Sequence, residues 1–313
     1  MTITQLQYVL AVAEHKNFTL AAEKCFVTQP TLSMQIQKVE EELDVQIFDR
    51  SKKPIQLTDI GLKIVNQAKN IVNEANRIQD IVEFEKGFVG GDFRLGIIPT
   101  IMPTLLPMFL GNFTKKYPKV KLIIEELNTD EIISRLNKGH LDAAIAATPL
   151  DEPKIKEIVL YYEPFVAYIP SQHPLSSKSE VTSDDIENEE LLLLKDGHCF
   201  RDGVLNFCKN SNTRQSRNFE LASGSFETLL KLSDEGLGLT LLPYLHSLEL
   251  SDKNKVKIKS FPDPKPAREV SLIYPKSELK LHLIDALRHT IEGVVRGAIV
   301  FQNVQIISPK SKK

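Results

Sequence analysis

The chain has no tryptophan and only three cysteines, Cys25, Cys199 and Cys208, among 313 residues. So few thiols in so long a chain exclude the disulfide framework that staples small secreted domains. No Cys-x-x-Cys or His-x-x-x-His pair occurs, so no zinc-type metal site is read and no cofactor is implied. No apolar run approaches the ~18–20 residues of a membrane-spanning helix, and no membrane partner is expected. Charge of one sign is also missing: the net charge is −2, which gives no global signal for nucleic acid. The opening Met1-Thr-Ile-Thr-Gln-Leu-Gln7 lacks a basic stretch followed by a small-residue cleavage site and does not read as a secretory signal. A cytoplasmic location, with thiols normally reduced, is the expectation. What remains is an ordinary globular composition long enough for two or three domains.

The first sixty residues carry three helical patterns. Thr4-Gln-Leu-Gln7 reads as a capping box opening a helix with Leu6, Val9, Leu10 and Ala13 on one face. A short helix is expected over about Thr19–Cys25. Thr28 can cap a third helix, with Pro30 tolerated in its first turn. Leu32, Ile36, Val39 and Leu43 form its buried stripe. The opposite face carries Pro30, Thr31, Met34, Gln37 and Lys38, flanked by Gln29 and Ser33, side-chain types that reach base edges and phosphates. Gln46–Leu57 reads as a hairpin wing with a basic tip at Arg50, Lys52 and Lys53. Residues 1–60 hold six Lys or Arg against eight Asp or Glu. The acids Glu40, Glu41, Glu42 and Asp44 fall at the far end of the third helix, away from the wing cations. Periodicity alone leaves two readings open: a winged helix-turn-helix that enters a major groove, and a three-helix module that binds protein.

Thr58 can cap a long helix to about Lys86. Ile64, Ala68, Ile71, Ala75, Ile78 and Val82 space out a heptad seam, suited to a homodimer. The alternative is a helix packed only on its own domain. Phe88-Val-Gly-Gly-Asp92 would end it and supply a hinge.

Residues 92–300 alternate short apolar runs with helical patterns, as βα units do. Strands are expected at Phe93–Ile98, Val120–Leu127 and Leu141–Ala147, with helices starting near Thr100 and Thr129, where N-terminal N–H groups favour negative charge. A second lobe would hold strands Phe165–Ile169, Leu191–Leu194 and Leu237–Leu242. The chain would then return to the first lobe through Glu269–Tyr274 and a helix over Leu279–Arg296. The expected division is a DNA-binding module at 1–60, a linker helix and hinge at 58–91, and a regulatory domain at 92–300. Its lobe I would take about 92–164 and 268–300, and its lobe II about 165–267. A basic, disordered tail is expected at 301–313.

Cys199 and Cys208 stand nine positions apart in Asp196-Gly-His-Cys-Phe-Arg-Asp-Gly-Val-Leu-Asn-Phe-Cys208. Cys199 follows His198 and precedes Arg201 and Asp202. A neighbouring cation or helix N-terminus favours the thiolate, and Arg201 is the cation expected beside it. Asp202 would orient Arg201 or accept a hydrogen bond. Phe200–Lys209 has helical spacing, with Cys208 as a small buried hydrophobe. In a helix the two Cα atoms lie roughly 13 Å apart, whereas a disulfide needs them within about 7 Å. Joining them would unwind the helix, which Gly203 weakens by roughly 1 kcal/mol relative to Ala. The residues alone admit a thiol switch, two inert core cysteines, zinc ligands with His198, or the peroxidatic pair of a turnover enzyme. Cys25 reads as core packing.

The stretch from Phe18 to Leu43, with Ile47-Phe48-Asp-Arg50 and Leu57-Thr58-Asp-Ile-Gly61, resembles the DNA-binding signature of LysR-type transcriptional regulators. It departs from that signature at Met34 and Gln37. The resemblance implies an α/β fold class: an N-terminal winged helix-turn-helix, a long linker helix, and a two-lobed, periplasmic-binding-protein-like regulatory domain. It further implies a double-stranded DNA operator, contacts from Gln29, Pro30, Thr31, Ser33 and Arg50, a homotetramer of two dimers, and RNA polymerase as a partner. Asp196-Gly-His-Cys-Phe-Arg-Asp202, Cys208, Ile98-Pro-Thr100, Thr129 and Arg268 are similar to the OxyR group of peroxide sensors, with Asn218 as a departure. That similarity implies oxidation of Cys199 by hydrogen peroxide and a reversible disulfide to Cys208. It also implies a peroxide pocket of Thr100, Thr129, His198 and Asp202, with Arg268 as a supporting cation, and a glutaredoxin- or thioredoxin-type reductant; Arg201 is placed in the pocket on its position beside Cys199 in the chain. Such a protein is not an enzyme in the turnover sense. Within the same family, response to a small organic effector in the cleft between lobes is the alternative.

Overall fold

The computed structural model describes residues 1–85, 90–187, 189–208, 221–278, 280–299 and 303–309. Phe88 and Val89 of the expected hinge, Asn218, and the end of the tail at 310–313 lie outside the described residues. The chain forms two compact units, one built on Met1–Phe88 and the other on Val89–Lys276 with Leu281–Lys313.

The first unit begins with helices α1 (Ile3–His15), α2 (Phe18–Lys24) and α3 (Gln29–Leu43). The capping box of α1 lies two residues earlier than expected. Thr2 accepts from the Gln5 N–H, and Gln5 reaches back to the Thr2 backbone. Asn17 caps α2 and Thr28 caps α3, with Pro30 in the first turn. Leu32, Ile36 and Val39 are fully buried against Val9, Val12 and Ala21, whereas Leu43 is exposed because α3 ends on Asp44 in the left-handed region. Strands β1 (Phe48–Asp49) and β2 (Gln56–Leu57) pair antiparallel as a short wing. Helix α4 (Asp59–Glu85) follows, its first turn held by Thr58, which accepts from the Gly61 N–H. A Cβ on Gly61 would sit 2.1 Å from the Ile47 carbonyl oxygen, so only glycine lets α4 start this close to the wing. The expected seam divides. Ala68 is buried with Val72, which lies outside that seam, against Leu6, while Ile71, Ile78 and Val82 are exposed.

The second unit opens with β3 (Gly91–Ile97), α5 (Met102–Lys116), β4 (Val120–Glu126), α6 (Thr129–Lys138) and β5 (Ala143–Thr148). Strands β4, β3 and β5 lie parallel, as βα units require. Next come β6 (Ile155–Tyr168), a 3₁₀ turn at Pro174–Ser177, α7 (Ser183–Glu187), α8 (Cys199–Phe207), α9 (Phe226–Asp234) and β7 (Thr240–Pro243). Then follow α10 (Tyr244–Leu248), α11 (Asp252–Lys255), β8 (Ile258–Lys259), β9 (Lys265–Pro275), α12 (Leu281–Val295) and β10 (Val304–Ile306).

The strands expected as separate elements of two lobes are halves of longer ones. Phe165–Ile169 is the end of β6, and Glu269–Tyr274 is the middle of β9. These two long strands pair antiparallel from Ile155↔Pro275 to Pro164↔Ala267 and run through both lobes. Two apolar cores form along them. One gathers Leu95, Phe109, Ile145 and Leu272; the other gathers Phe165, Tyr168, Phe200 and Leu242. Leu191–Leu194 is no strand; it contributes one bridge, Leu191↔Leu239, and the neighbouring strand is Thr240–Pro243. The expected disordered tail is also corrected. Val304–Ile306 adds a parallel strand to β9, and Ile307 is buried in the second core.

Candidate functional site

A turn at Gly197, whose φ of +87° suits glycine, leads into α8. His198 is the N-cap and Cys199 the first helical residue. Phe200 and Val204 of this helix pack into the second core. Cys199, one residue earlier, packs into the first. The thiol is thus a pin from one lobe set into the other, on the side of Ala147, Thr129 and Arg268.

Burial pushes the Cys199 thiol up from its ordinary value. The Arg268 guanidinium is the strongest opposing influence, followed by the Thr129 hydroxyl and the backbone at Ala147, while the Asp202 carboxylate adds to the rise. Thr129 is the first residue of α6, whose cap is Asn128. The Thr129 hydroxyl is buried, and the Cys199 thiol is the group it faces. Thr100 lies in the turn before α5 and does not cap it; Ile101 holds that position.

Arg268 is buried on β9 opposite Glu163 of β6, at the crossing between the two cores. Its Nε and Nη2 donate to Glu163 Oε2 at 2.9 and 2.6 Å. Nη1 donates to Thr100 Oγ1 at 2.8 Å, and Nη2 also donates to the Thr100 carbonyl at 3.0 Å. The second Glu163 oxygen accepts from the Leu245 N–H. The guanidinium lies 5.3 Å from the Phe200 ring centroid, a cation–π contact that ties β9 to α8. A guanidinium has five N–H donors. Four of them are used among the described residues.

Arg201 does not take the place expected for it. Its Nε pairs with Asp196 at 2.8 Å and Nη1 donates to the Leu194 carbonyl, so the cation that faces the thiol is Arg268. His198 is buried, and burial above all, with Lys195, holds its imidazole below the ordinary value, against the pull of Glu126. The ring is therefore neutral at pH 7, with one nitrogen to donate and one to accept.

Cys208 ends α8, its N–H bonded to the Val204 carbonyl. It is buried in the second core, and burial with the nearby Glu187 pushes its thiol up to about 12. All three cysteines are free thiols, Cys25 half-buried beside α2. Nine residues of helix keep Cys199 and Cys208 roughly 13 Å apart at the Cα atoms. Among the described residues no group of three or more His, Cys, Asp or Glu is placed to hold a metal ion, and no helix is long and apolar enough to cross a membrane.

Glu163 is the member of this constellation that motif reading missed. Its one signal is a carboxylate inside the apolar strand Ile155–Tyr168, where an unpaired charge would be costly.

On the first unit, Gln29, Pro30, Thr31, Met34, Gln37 and Lys38 are exposed along α3 and Ser33 is half-buried. Gln37 is tied to Glu41 at 3.0 Å. Lys52 and Lys53 are exposed at the wing. The expected separation of acids from wing cations fails at one residue. Glu40 accepts from the Ile47 and Phe48 N–H groups and pairs with Arg50 at 2.9 Å, while Arg50 also lies over Phe18.

Residues 86–296 match the LysR substrate binding domain, and residues 3–62 match the bacterial regulatory helix-turn-helix protein, lysR family. The hydrogen peroxide-inducible genes activator of Pectobacterium carotovorum subsp. carotovorum is 33% identical over 94% of this chain and 98% of its own length. The DNA-binding transcriptional dual regulator OxyR of Escherichia coli K12 is 33% identical over 94% of this chain and 97% of its own. Among solved structures, a full-length cysteine-to-aspartate OxyR variant from Pseudomonas aeruginosa superposes with a TM-score of 0.71 at 33% identity, covering 93% of this chain and 94% of that one. With both domains matched and these relatives aligned along nearly the whole length, the chain belongs to the LysR family of DNA-binding transcriptional regulators, in its OxyR group.

Proposed function

We propose that this regulator senses hydrogen peroxide at Cys199 and stores the signal as a Cys199–Cys208 disulfide. The observation that carries the reading is the seat of Cys199. One reactive-type residue at a helix start is held in the core of the opposite lobe, beside a buried cation.

The Cys199 thiolate attacks one peroxide oxygen. The O–O bond breaks, the sulfur becomes a sulfenic acid, and the departing hydroxide takes a proton and leaves as water. Arg268 and Thr129 favour the thiolate and the charge that builds on the departing oxygen. Thr100, His198 and Asp202 complete the pocket, and Arg201 stands outside it. Cys208 then attacks the sulfenic sulfur, forming the S–S bond and releasing a second water. Two thiols are oxidised, one peroxide is reduced to two waters, and an external glutaredoxin- or thioredoxin-type thiol resets the pair.

The separation of roughly 13 Å against a limit of about 7 Å makes the helical and bridged forms mutually exclusive. Melting α8 withdraws the Cys199 pin from the other lobe and frees the Phe200 face from Arg268, so the chemical event becomes a change of lobe packing. The readout is DNA. Gln29, Pro30, Thr31, Ser33, Met34, Gln37 and Lys38 of α3 meet the major groove, with Lys52, Lys53 and Arg50 at the backbone. We assign residues 1–60 to DNA binding, 58–91 to dimerisation and 92–300 to sensing, in a cytoplasmic homodimer or homotetramer that acts on RNA polymerase.

The test is a peroxide titration of the operator footprint with wild type and Cys199→Ser. Wild type is expected to shift its footprint at one disulfide per chain, and the variant to hold the reduced footprint throughout. A variant that still shifts with oxidant ends the proposal.

A further inference from the structure

Residues 303–309 close the chain onto the switch helix. Val304–Ile306 pairs in parallel with Lys265–Ala267 of β9, and the Ile307 N–H donates to the Ala267 carbonyl at 2.8 Å. Ile307 and Pro309 are buried, with Ser308 exposed between them, the alternation of a strand with one covered face. Ile307 belongs to the core that holds Phe200, Val204 and Cys208. Between the two buried side chains the Ser308 carbonyl accepts from Asn206 Nδ2 at 2.9 Å. Phe207, next along α8, stacks edge-on against Phe261 at 5.0 Å in the same cluster.

We propose that this segment is a latch docked on the helical form of α8 and released when the disulfide forms. The inference rests on the switch reading above. The physical reason lies in which residues make the seat. Asn206, Phe207 and Cys208 are the last turn of α8, and bringing Cys208 to Cys199 removes that turn. The segment then loses the hydrogen bond from Asn206 and the packing around Ile307. What remains is a short backbone pairing on a sheet edge, from Asn303 to Ile307, of the length that is marginal by itself. Release would uncover the backbone edge of β9 at Lys265–Ala267, a template for another strand. Linkage makes the coupling reciprocal: a segment that binds only the dithiol form must favour the dithiol form.

The experiment is hydrogen exchange by mass spectrometry on the full-length protein, with the disulfide scored in the same samples. In reduced wild type the 303–309 amides are expected to be protected. In reduced Asn206→Ala, and separately in Ile307→Asp, that protection is expected to fall by about tenfold or more. Unchanged protection in both variants would overturn the docking, whatever the redox chemistry does. In peroxide-treated wild type carrying the disulfide the protection is expected to vanish, and Cys208→Ser, which cannot form the bridge, should keep it. A bridged protein with a protected tail would overturn the release. Absence of any bridge would instead overturn the switch reading and the gating with it, leaving the docking to the two reduced variants. A chain ending at residue 302 should form its disulfide about tenfold more favourably, a midpoint about 30 mV more negative; an unmoved midpoint contradicts the coupling.

Discussion

The cation beside Cys199 shows what chain neighbours do and do not reveal. Arg201 is two residues from the thiol in sequence, yet α8 turns it towards Asp196 and Leu194; Arg268, sixty-nine positions on, faces the sulfur. Adjacency gives proximity of backbones, and only the helix phase and the partner strand decide which side chain arrives. Arg268→Met should therefore slow Cys199 oxidation at pH 7 by about tenfold for each pKa unit that the guanidinium now opposes. The rate profile should move to higher pH. Arg201→Met should leave the profile where it is. Free-thiol counting over time, from pH 6 to 10, decides between them. Arg268→Met also strands Glu163 in the core, with an expected loss of about 3–5 kcal/mol in denaturant unfolding. A Glu163→Leu, Arg268→Met double variant should recover much of that loss. Equal instability of the single and double variants would mean that the pair is not what the crossing relies on.

Cys208 carries its own pH signature. Its thiol titrates at about 12 in the fold against 9.0 for the free group. Between these values the unfolded chain holds fewer protons than the folded one, so stability is present in full below pH 9 and falls as pH rises towards 12. Three pKa units correspond to a loss on the order of 4 kcal/mol. Reduced wild type should lose stability through this window, and Cys208→Ala should lose less, as read from urea midpoints at pH 8, 10 and 11. Parallel midpoint curves for the two proteins would show that Cys208 is not sheltered.

At the scale of elements, two of the helix caps were legible and shared strands were not. Thr28 and Thr58 mark their helices in the sequence as they do in the fold, because a cap is a local hydrogen bond, whereas Asn17 went unread and the α1 box lies two residues before its expected place. β6 and β9 read as separate pieces because Glu163-Pro164 and Arg268 interrupt apolar runs, and a charge in a strand looks like an end. The interruption is a cross-strand ion pair, visible only once the two strands are side by side. The tail misled for another reason. Its lysines at 310, 312 and 313 dominate the composition, and the three-residue strand before them is too short to show a period. Helix α8 itself was readable from spacing, and Gly203 is its weak point. A Cβ there would meet the Phe165 ring at 3.4 Å, an ordinary contact, so alanine fits. Gly203→Ala should strengthen the helix by about 1 kcal/mol and favour the dithiol. The reduction midpoint should then rise by about 20 mV. A midpoint that falls would mean that α8 is not the element that melts.

At the scale of the whole molecule, the proposed thiol switch and DNA face act together only if lobe packing is read out by an assembly. Ile71, Ile78 and Val82 remain exposed on α4, four and seven positions apart on one side, while Ala68 and Val72 are already covered by α1. An uncovered apolar stripe on a long helix is costly in a monomer and ordinary in a dimer seam. Pairing two such helices sets two copies of α3 against two half-sites, so that the second contact is made at high effective concentration. Ile78→Glu combined with Val82→Glu should convert the dimer to monomer by light scattering and leave the helix-turn-helix fold intact by circular dichroism. Operator affinity should fall by about a hundredfold or more, with a shallower dependence on salt as fewer phosphates are neutralised per binding event. Peroxide should still form the disulfide in these monomers, because Cys199, Arg268 and Cys208 all lie in one chain. A double variant that stays dimeric and holds its operator as tightly as wild type would show that the subunits meet through another surface.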